Sequence, residues 1–261
     1  MRRFTAFLLA LSFAYSAHAQ PAPSPAAAGA KPVVNQSGPS KGVSASPSAN
    51  GRCIGVFPLL GDHFEVKKIG ITVFGNEFKE IAVDNWRLDD LVVERVRAAV
   101  GTGIAVRRMA HAKDAFAGYR AGIGIFQNND TKASAIVQQA AGQTRCERYI
   151  VVTRAAAQYI GNQAIFGIGI VNSGRPIRSF TQIHAVIRIH VHDGRSFAVL
   201  KSGTVSLNGG NILTGHRTER EVDDSWWPEP PEAANTPKMR EAARTLLTQI
   251  LDKSLPELLA P

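Results

Sequence analysis

After residue 19 no apolar stretch approaches the ~18–20 residues that a helix needs to cross a bilayer, so no later membrane span is expected. Cysteine is nearly missing, with two in 261 residues, and neither follows residue 19 closely enough to carry a lipid anchor. Motifs of familiar chemistry are missing too. No G-x-S-x-G occurs, which removes the strained serine elbow of the hydrolases, and no G-x-x-x-x-G-K or H-E-x-x-H, which removes the phosphate loop and the helical zinc pair. The serines gather in one low-complexity segment. Gly122-Ile123-Gly124 neither follows a strand directly nor opens a helix, so it is no dinucleotide fingerprint. Acids are outnumbered, 21 against 30 Lys and Arg, for a formal net charge of +9. Such a balance favours anionic surfaces and acidic partners.

What is present begins with a targeting pattern. Arg2 and Arg3 precede an apolar run over residues 4–15, too short for a span, and Ala17-His18-Ala19 has the small-x-small form of a cleavage site. Residues 1–19 therefore read as a signal peptide, with an uncleaved anchor as the alternative. Cleavage would leave a chain of charge +7 that starts at Gln20, in the periplasm or outside the cell. Nucleic acid is an unexpected partner there, and a protein or cell-envelope partner an expected one. Residues 20–50 are Pro, Ala, Ser and Gly with few large apolar side chains; they cannot bury enough surface to offset ordering and read as a disordered linker.

Residues 51–261 read as one domain. Tyr149-Ile150-Val151-Val152 is an apolar, β-branched run with charge at both ends, the pattern of a strand buried on both faces. Cys146 stands at its entrance, and Cys53 stands at the entrance of a similar run, Ile54-Gly55-Val56-Phe57. Two strands with a cysteine at the same end predict parallel neighbours joined by a Cys53–Cys146 disulfide. Closing that 93-residue loop stabilises by ~4–5 kcal/mol in the chain-entropy model. A reactive thiol at Cys146, beside Arg145 and Arg148, is the other reading.

The remaining pattern alternates and then meanders. A strand over 53–59 leads to a β-hairpin, residues 67–74 and 78–83 about Gly75-Asn76, with Ile69, Ile71 and Val73 on one face. Asp84-Asn85 offers a cap for a helix on Leu88, Leu91, Val92, Val96 and Val100, with Asp89 and Asp90 in its first turn. A short strand at 104–106, a short helix within 112–119 and a helix over 131–141 follow. Beyond the 149–152 strand come strands over 164–171, 182–192 and 197–207, an irregular stretch over 208–235, and a last helix capped by Thr236 with Pro237 at its first position. The fold class is thus α/β (α+β): a mixed β-sheet with helices packed on it, an early hairpin and a C-terminal antiparallel meander.

This order of elements resembles a group of bacterial envelope domains: the amino-terminal domain of the Tol-system β-propeller protein, the curli-secretion lipoprotein, and the lipoprotein activators of penicillin-binding proteins. The likeness spans most of 51–254 and lies in element order rather than motif. The early hairpin is additional and the lipid-attachment cysteine is lacking. It implies a compact domain that binds partners and catalyses nothing.

Two features could carry function. On the 182–192 strand, His184, Val186, Arg188, His190 and His192 share a face, and a His-x-His pair sets two imidazoles about 7 Å apart. With a third ligand from elsewhere, His190 and His192 could bind zinc or copper and make a metal-dependent enzyme. The plain reading of that face is solvated and basic. The second feature is Trp226-Trp227 in a Pro-rich stretch, either a partner-binding contact or two rings folded back to pin the loop. A small-ligand module beside Gly167 and Gly169 is a third possibility; these glycines in a strand otherwise mark a bulge or close backbone approach. No cofactor is expected, and the balance favours a non-catalytic envelope accessory domain.

Overall fold

A computed structural model describes residues 52–71, 73–112, 114–120, 129–160, 163–174, 179–205 and 219–260. The chain divides into two units, Met1–Pro47 and Ser48–Pro261, and every described residue belongs to the second. The signal peptide and the whole linker expected above lie outside the described residues, as does Gly122-Ile123-Gly124.

The elements in chain order are β1 (Cys53–Leu59), β2 (His63–Ile69), β3 (Glu77–Ala82), α1 (Leu88–Val100), β4 (Ala105–Arg108), the one-turn α2 (Ala117–Arg120) and α3 (Asn129–Ala141). Then come β5 (Arg148–Arg154), β6 (Ala156–Gln158), β7 (Ala164–Phe166), β8 (Ile168–Ser173), β9 (Phe180–Ala185), β10 (Ile187–Asp193), β11 (Val199–Val205), β12 (Glu219–Val222) and α4 (Pro237–Leu259). The class is mixed α/β, as the pattern implied. The sheet, however, is not one. Five strands form a first sheet in the order β11-β10-β5-β1-β4, five form a second in the order β12-β9-β8-β2-β3, and β6-β7 make a small hairpin.

In the first sheet β1 lies parallel to both β4 and β5, and β10 and β11 add antiparallel strands. β1 and the middle of β5 are buried on both faces, which is why their sequences are almost unbroken apolar runs. Cys53 and Cys146 form a disulfide at the shared end of these parallel neighbours. Gly55 has no side chain because the Tyr149 ring crosses it: a Cβ there would stand 2.5 Å from Tyr149 Cδ1.

The second sheet takes over where three strands of the first run out. β1 passes to β2 through Gly61, β5 to β8 by way of the β6-β7 hairpin, and β10 continues β9 across Val186. The strand expected over 182–192 thus breaks at Val186, and that over 164–171 breaks at Gly167. Ala155 N donates to Val186 O, Val186 N to Gly167 O and Gly167 N to Ala155 O, so one residue from each pass closes a ring of backbone hydrogen bonds. Gly167 takes φ +65°, and a Cβ on it would meet Arg154 Cδ at 2.6 Å, which makes this the position where glycine is required.

One core joins both sheets to α1 and α4: Ile54, Val56, Phe64, Ile150, Ile170, Ile183 and Ile189 meet Leu91, Val96, Leu246, Leu247 and Leu251. Met239, Ala243, Leu246, Leu247, Ile250 and Leu251, which recur at helical spacing in the sequence of the last helix, are all buried, and Thr236 accepts from Met239 N as its cap. On the opposite face of the first sheet, Phe57, Tyr149, Val151 and Phe197 pack under Phe116, from the approach to α2, and Val137 and Ala141 of α3. The β6-β7 hairpin covers Ile69, Val171 and Val186 on the second sheet.

Two local expectations are corrected. Asp84 and Asn85 do not cap α1; they form a 3-10 turn with the buried Trp86, and the capping position falls to Arg87 at φ 52° with no side-chain bond. Asp89 is occupied elsewhere, accepting from Leu60 N and Gly61 N at the end of β1, and burial pushes its carboxyl above the usual range against the pull of those bonds. The hairpin strand also starts earlier, at His63, and ends at Ile69, so Ile71 is not a strand residue on the core face but lies 69% exposed in the turn.

Candidate functional site

β10 carries His190 and His192 on the face that α2 and α3 cover. The expectation of a solvated face fails here: His184, Val186 and His192 are fully buried. The reason is tertiary. α2 brings Tyr119 over the strand, so that its hydroxyl oxygen lies 2.6 Å from His190 Nδ1 and 3.0 Å from His192 Nε2. His192 Nδ1 lies 2.9 Å from the carbonyl of Phe197. A carbonyl only accepts, so neutral His192 carries its hydrogen on Nδ1 and its Nε2 accepts from the Tyr119 hydroxyl. The same hydroxyl oxygen then accepts from His190 Nδ1. Burial, then the neighbouring His192 and Arg188, depress the His190 pKa to about 4, so His190 itself is neutral at pH 7.

The geometry bears on metal chemistry. The two nitrogens that face each other across the cluster meet through Tyr119, and a cation between them would have to displace that hydroxyl. Among the described residues no group of three His, Cys, Asp or Glu side chains is placed to hold a metal ion. The imidazoles instead sit in an aromatic cluster: Tyr119 is edge-on to His190 with centroids 5.2 Å apart, and Phe116 and Phe57 extend the stack beneath it.

Sequence reasoning missed the third histidine of the strand as a paired group. On β9, His184 Nε2 stands 2.9 Å from Glu65 Oε2 of β2, at ion-pair distance but out of hydrogen-bond alignment. Gly169 of β8 lies between them in register, and a Cβ there would collide with both side chains. Phe166 N donates to the same carboxylate. The signal was present as Glu65 inside an apolar strand opposite a glycine, but only the register joins them. Tyr119 carried no periodic signal at all.

Trp226 and Trp227 sit on a built turn rather than a loose loop. Asp223 caps the 3-10 turn at Asp224–Trp226 by accepting from Ser225 N, and hydrogen bonds from the Ser225 hydroxyl and then its amide hold the carboxyl below the usual range. Asp224 accepts from the Ser179 hydroxyl at 2.6 Å and the Thr181 hydroxyl at 2.7 Å, tying the turn to β9. Lys238 Nζ lies 3.9 Å above the Trp226 ring. Both rings are half-buried and pack on the edge of the main core. The stretch expected to be irregular thus contains β12, paired antiparallel with β9, and two 3-10 turns; residues 206–218 lie outside the described residues. Between α1 and α4 an open groove of about 470 Å³ is lined by Leu91, Arg240, Arg244 and Thr248. Arg244 there is committed to the carbonyls of Trp86 and Arg87.

No family model matches the chain, and no curated protein does. Solved structures with some likeness include a Xanthomonas campestris protein of the DUF330 family, at TM-score 0.39 and 10% identity over 80% of this chain and 84% of that one. A lipoprotein of Neisseria meningitidis is similar at TM-score 0.25 and 16% identity over 58% and 78%. A Helicobacter pylori homolog of the neuraminyllactose-binding hemagglutinin is similar at TM-score 0.31 and 7% identity over 80% and 81%. Scores of this size carry no argument about activity. Among the described residues no helix is long and apolar enough to cross a membrane.

Proposed function

We propose that this chain is an exported, non-catalytic accessory domain of the bacterial envelope, periplasmic or secreted, that binds a protein partner through Trp226 and Trp227. The observation that carries the reading is the built Trp turn. Its two rings are half-exposed, yet Asp223, Asp224 and Lys238 hold their backbone and one ring in place. Aromatic side chains dominate binding hot spots, and a contact that is ordered before binding loses less entropy on association. Support for export comes from Arg2, Arg3, the apolar run over 4–15 and Ala17-His18-Ala19, together with a disulfide of the kind that persists in oxidising compartments. The element-order likeness to the Tol, curli and penicillin-binding-protein-activator domains agrees with a binding role. The runner-up, a metal-dependent enzyme at His190 and His192, has to overcome the Tyr119 bridge.

A photo-crosslinking residue at position 227, in cells that make the protein, tests the reading, with exposed Glu241 on α4 as the control position. A discrete protein adduct from 227 and none from 241 is the expected result. Identical adduct patterns from both positions, or none from either, overturn it.

A further inference from the structure

Four large apolar side chains stand exposed among the described residues, and three of them fall between residues 71 and 78. Ile71 is 69% exposed, Phe74 95% and Phe78 62%. They occupy the turn and first residues of the β2-β3 hairpin, at the free edge of the second sheet. Exposing a clustered set of this kind without a function is costly in solubility.

The turn is built, not slack. Gly70 and Gly75 pass so close that a Cβ on Gly70 would stand 2.6 Å from Gly75 Cα. Gly70 N donates to Asn76 Oδ1 at 3.0 Å, so that amide is satisfied within the turn, and Ile69 O accepts from Gly174 N. A tip that carries its own hydrogen bonds can leave water at low cost, which a bilayer interface demands.

Charge stands behind the tip. Lys68 faces Glu77 in register, Lys67 faces Phe78, and Lys79 faces Val66. At about 3.3 Å per strand residue the three ammonium groups are rooted within roughly 10 Å of the turn. Each lysine has a partner in the fold: Lys67 donates to the Ala164 carbonyl, Lys68 stands 3.7 Å from Glu77 and Lys79 pairs with Glu232, while Glu80 pairs with Arg154 at 2.6 Å; exposed pairs of this kind are weak, and their ammonium groups stay accessible to lipid phosphates. The chain that cleavage would leave carries +7. Apolar side chains ahead and lysines behind are the arrangement in which an apolar face enters ~5–10 Å into a bilayer while ammonium groups stay among lipid phosphates. The apolar side chains of the tip stand exposed and the Gly70 amide needs no partner, so a fluid surface fits it better than a protein that must supply a matching pocket.

We infer that the hairpin tip Ile71, Phe74 and Phe78, framed by Lys67, Lys68 and Lys79, is a membrane-docking element for a bilayer surface bearing anionic lipids. It places the domain against a membrane peripherally. The inference does not depend on Trp226 and Trp227 and survives if they bind nothing.

The test is co-sedimentation of the chain, as isolated from cells that make it, with vesicles of equal parts phosphatidylcholine and phosphatidylglycerol, and with vesicles of phosphatidylcholine alone. Variants with the same N-terminus are compared, so any contribution from residues before 51 cancels. Phe74→Ser is expected to lower partitioning into the mixed vesicles about tenfold, the effect of burying roughly half a Phe side chain. Ile71→Ser/Phe74→Ser/Phe78→Ser is expected to remove most of the remainder. Leu200→Ser, at the fourth exposed apolar position, on β11 of the other sheet, should leave binding unchanged, and circular dichroism verifies that each variant folds. Equal binding of wild type and Phe74→Ser overturns the inference. So does equal binding to the two vesicle types, or a discrete protein adduct from a photo-crosslinker at position 74 alongside unaltered vesicle binding by Phe74→Ser.

Discussion

Two turns of this domain display large apolar side chains and dispose of them in opposite ways. The turn at Asp224–Trp226 folds its tryptophans back onto the core edge, where Asp224 ties it to β9 and Lys238 covers one ring. The β2-β3 turn points Ile71 and Phe74 away from the protein. Residue type does not separate them, because both are aromatic and both are flanked by charge. What separates them is reach. The tryptophans lie on the path from β12 to α4, with the core cluster beneath them. The hairpin turn projects past the ends of β2 and β3, at the edge of its sheet, where neither strand is left to pack against it.

The largest expected effect in this contrast is on stability. Trp226→Ala/Trp227→Ala should lower the unfolding free energy by ~3 kcal/mol in urea titration, since half-buried rings lose packing and one loses its cation. A change below ~0.5 kcal/mol would mean that the turn is as loosely held as the hairpin tip, and the contrast would collapse.

His190 sharpens the comparison, because α2 does for it what the core edge does for the tryptophans. Its folded pKa of about 4 lies below the 6.5 of an unperturbed histidine, so the unfolded chain takes up the proton first. Its contribution is fully present above pH 6.5, falls as the pH drops from 6.5 to about 4, and stays lost below that. The loss is ~3 kcal/mol at most. Urea midpoints at neutral and mildly acidic pH should therefore diverge for the wild type and diverge less for His190→Gln. An equal pH dependence in both would show that α2 does not seal the imidazole.

Smaller effects isolate the tether. Asp224→Ala removes the acceptor of two hydroxyls and should cost ~1–2 kcal/mol. It should also raise Trp emission quenching by iodide, as the rings gain access to solvent; unchanged quenching would assign the turn's rigidity to Lys238 and the core alone. The smallest effect is Phe74→Ser. With 95% of the side chain already in water, its unfolding free energy should stay within ~0.5 kcal/mol of wild type. A larger loss would place the Phe74 ring against protein and end the contrast from the other side.

Legibility in the sequence followed locality. α1 matches residue for residue the helix read from Leu88 to Val100, and β1 the strand read from 53 to 59. Each depends on a periodic apolar pattern that either buries or does not. The α4 cap and stripe were legible for the same reason. The turn chemistry of Gly75-Asn76 located the hairpin, yet Asn76 acts by holding Gly70 rather than as a two-residue turn, so the strands end sooner than alternation suggested. Alternation along residues 182–192 correctly sorted the two faces, but it could not say that the histidine face would be covered. That depended on α2 over His190 and His192, an element of four residues with almost no pattern, and on the β6-β7 hairpin over Val186.

The sequence alone determined the strands that are buried on both faces, the helices with a single apolar stripe, and the pairing of its two cysteines at one end of parallel neighbours. Those properties are set by composition and period within a few residues, and one disulfide was available to two thiols. Tertiary structure decided the rest. It bent three chain passes through Gly61, Val186 and the β6-β7 hairpin, turning one expected sheet into two. It joined Tyr119 to His190 and His192 across more than seventy residues, set Glu65 beside His184 with Gly169 between them, and chose which aromatic turn to bury. Burial and pairing of this kind depend on what another part of the chain brings into contact, and a one-dimensional pattern does not contain that distance.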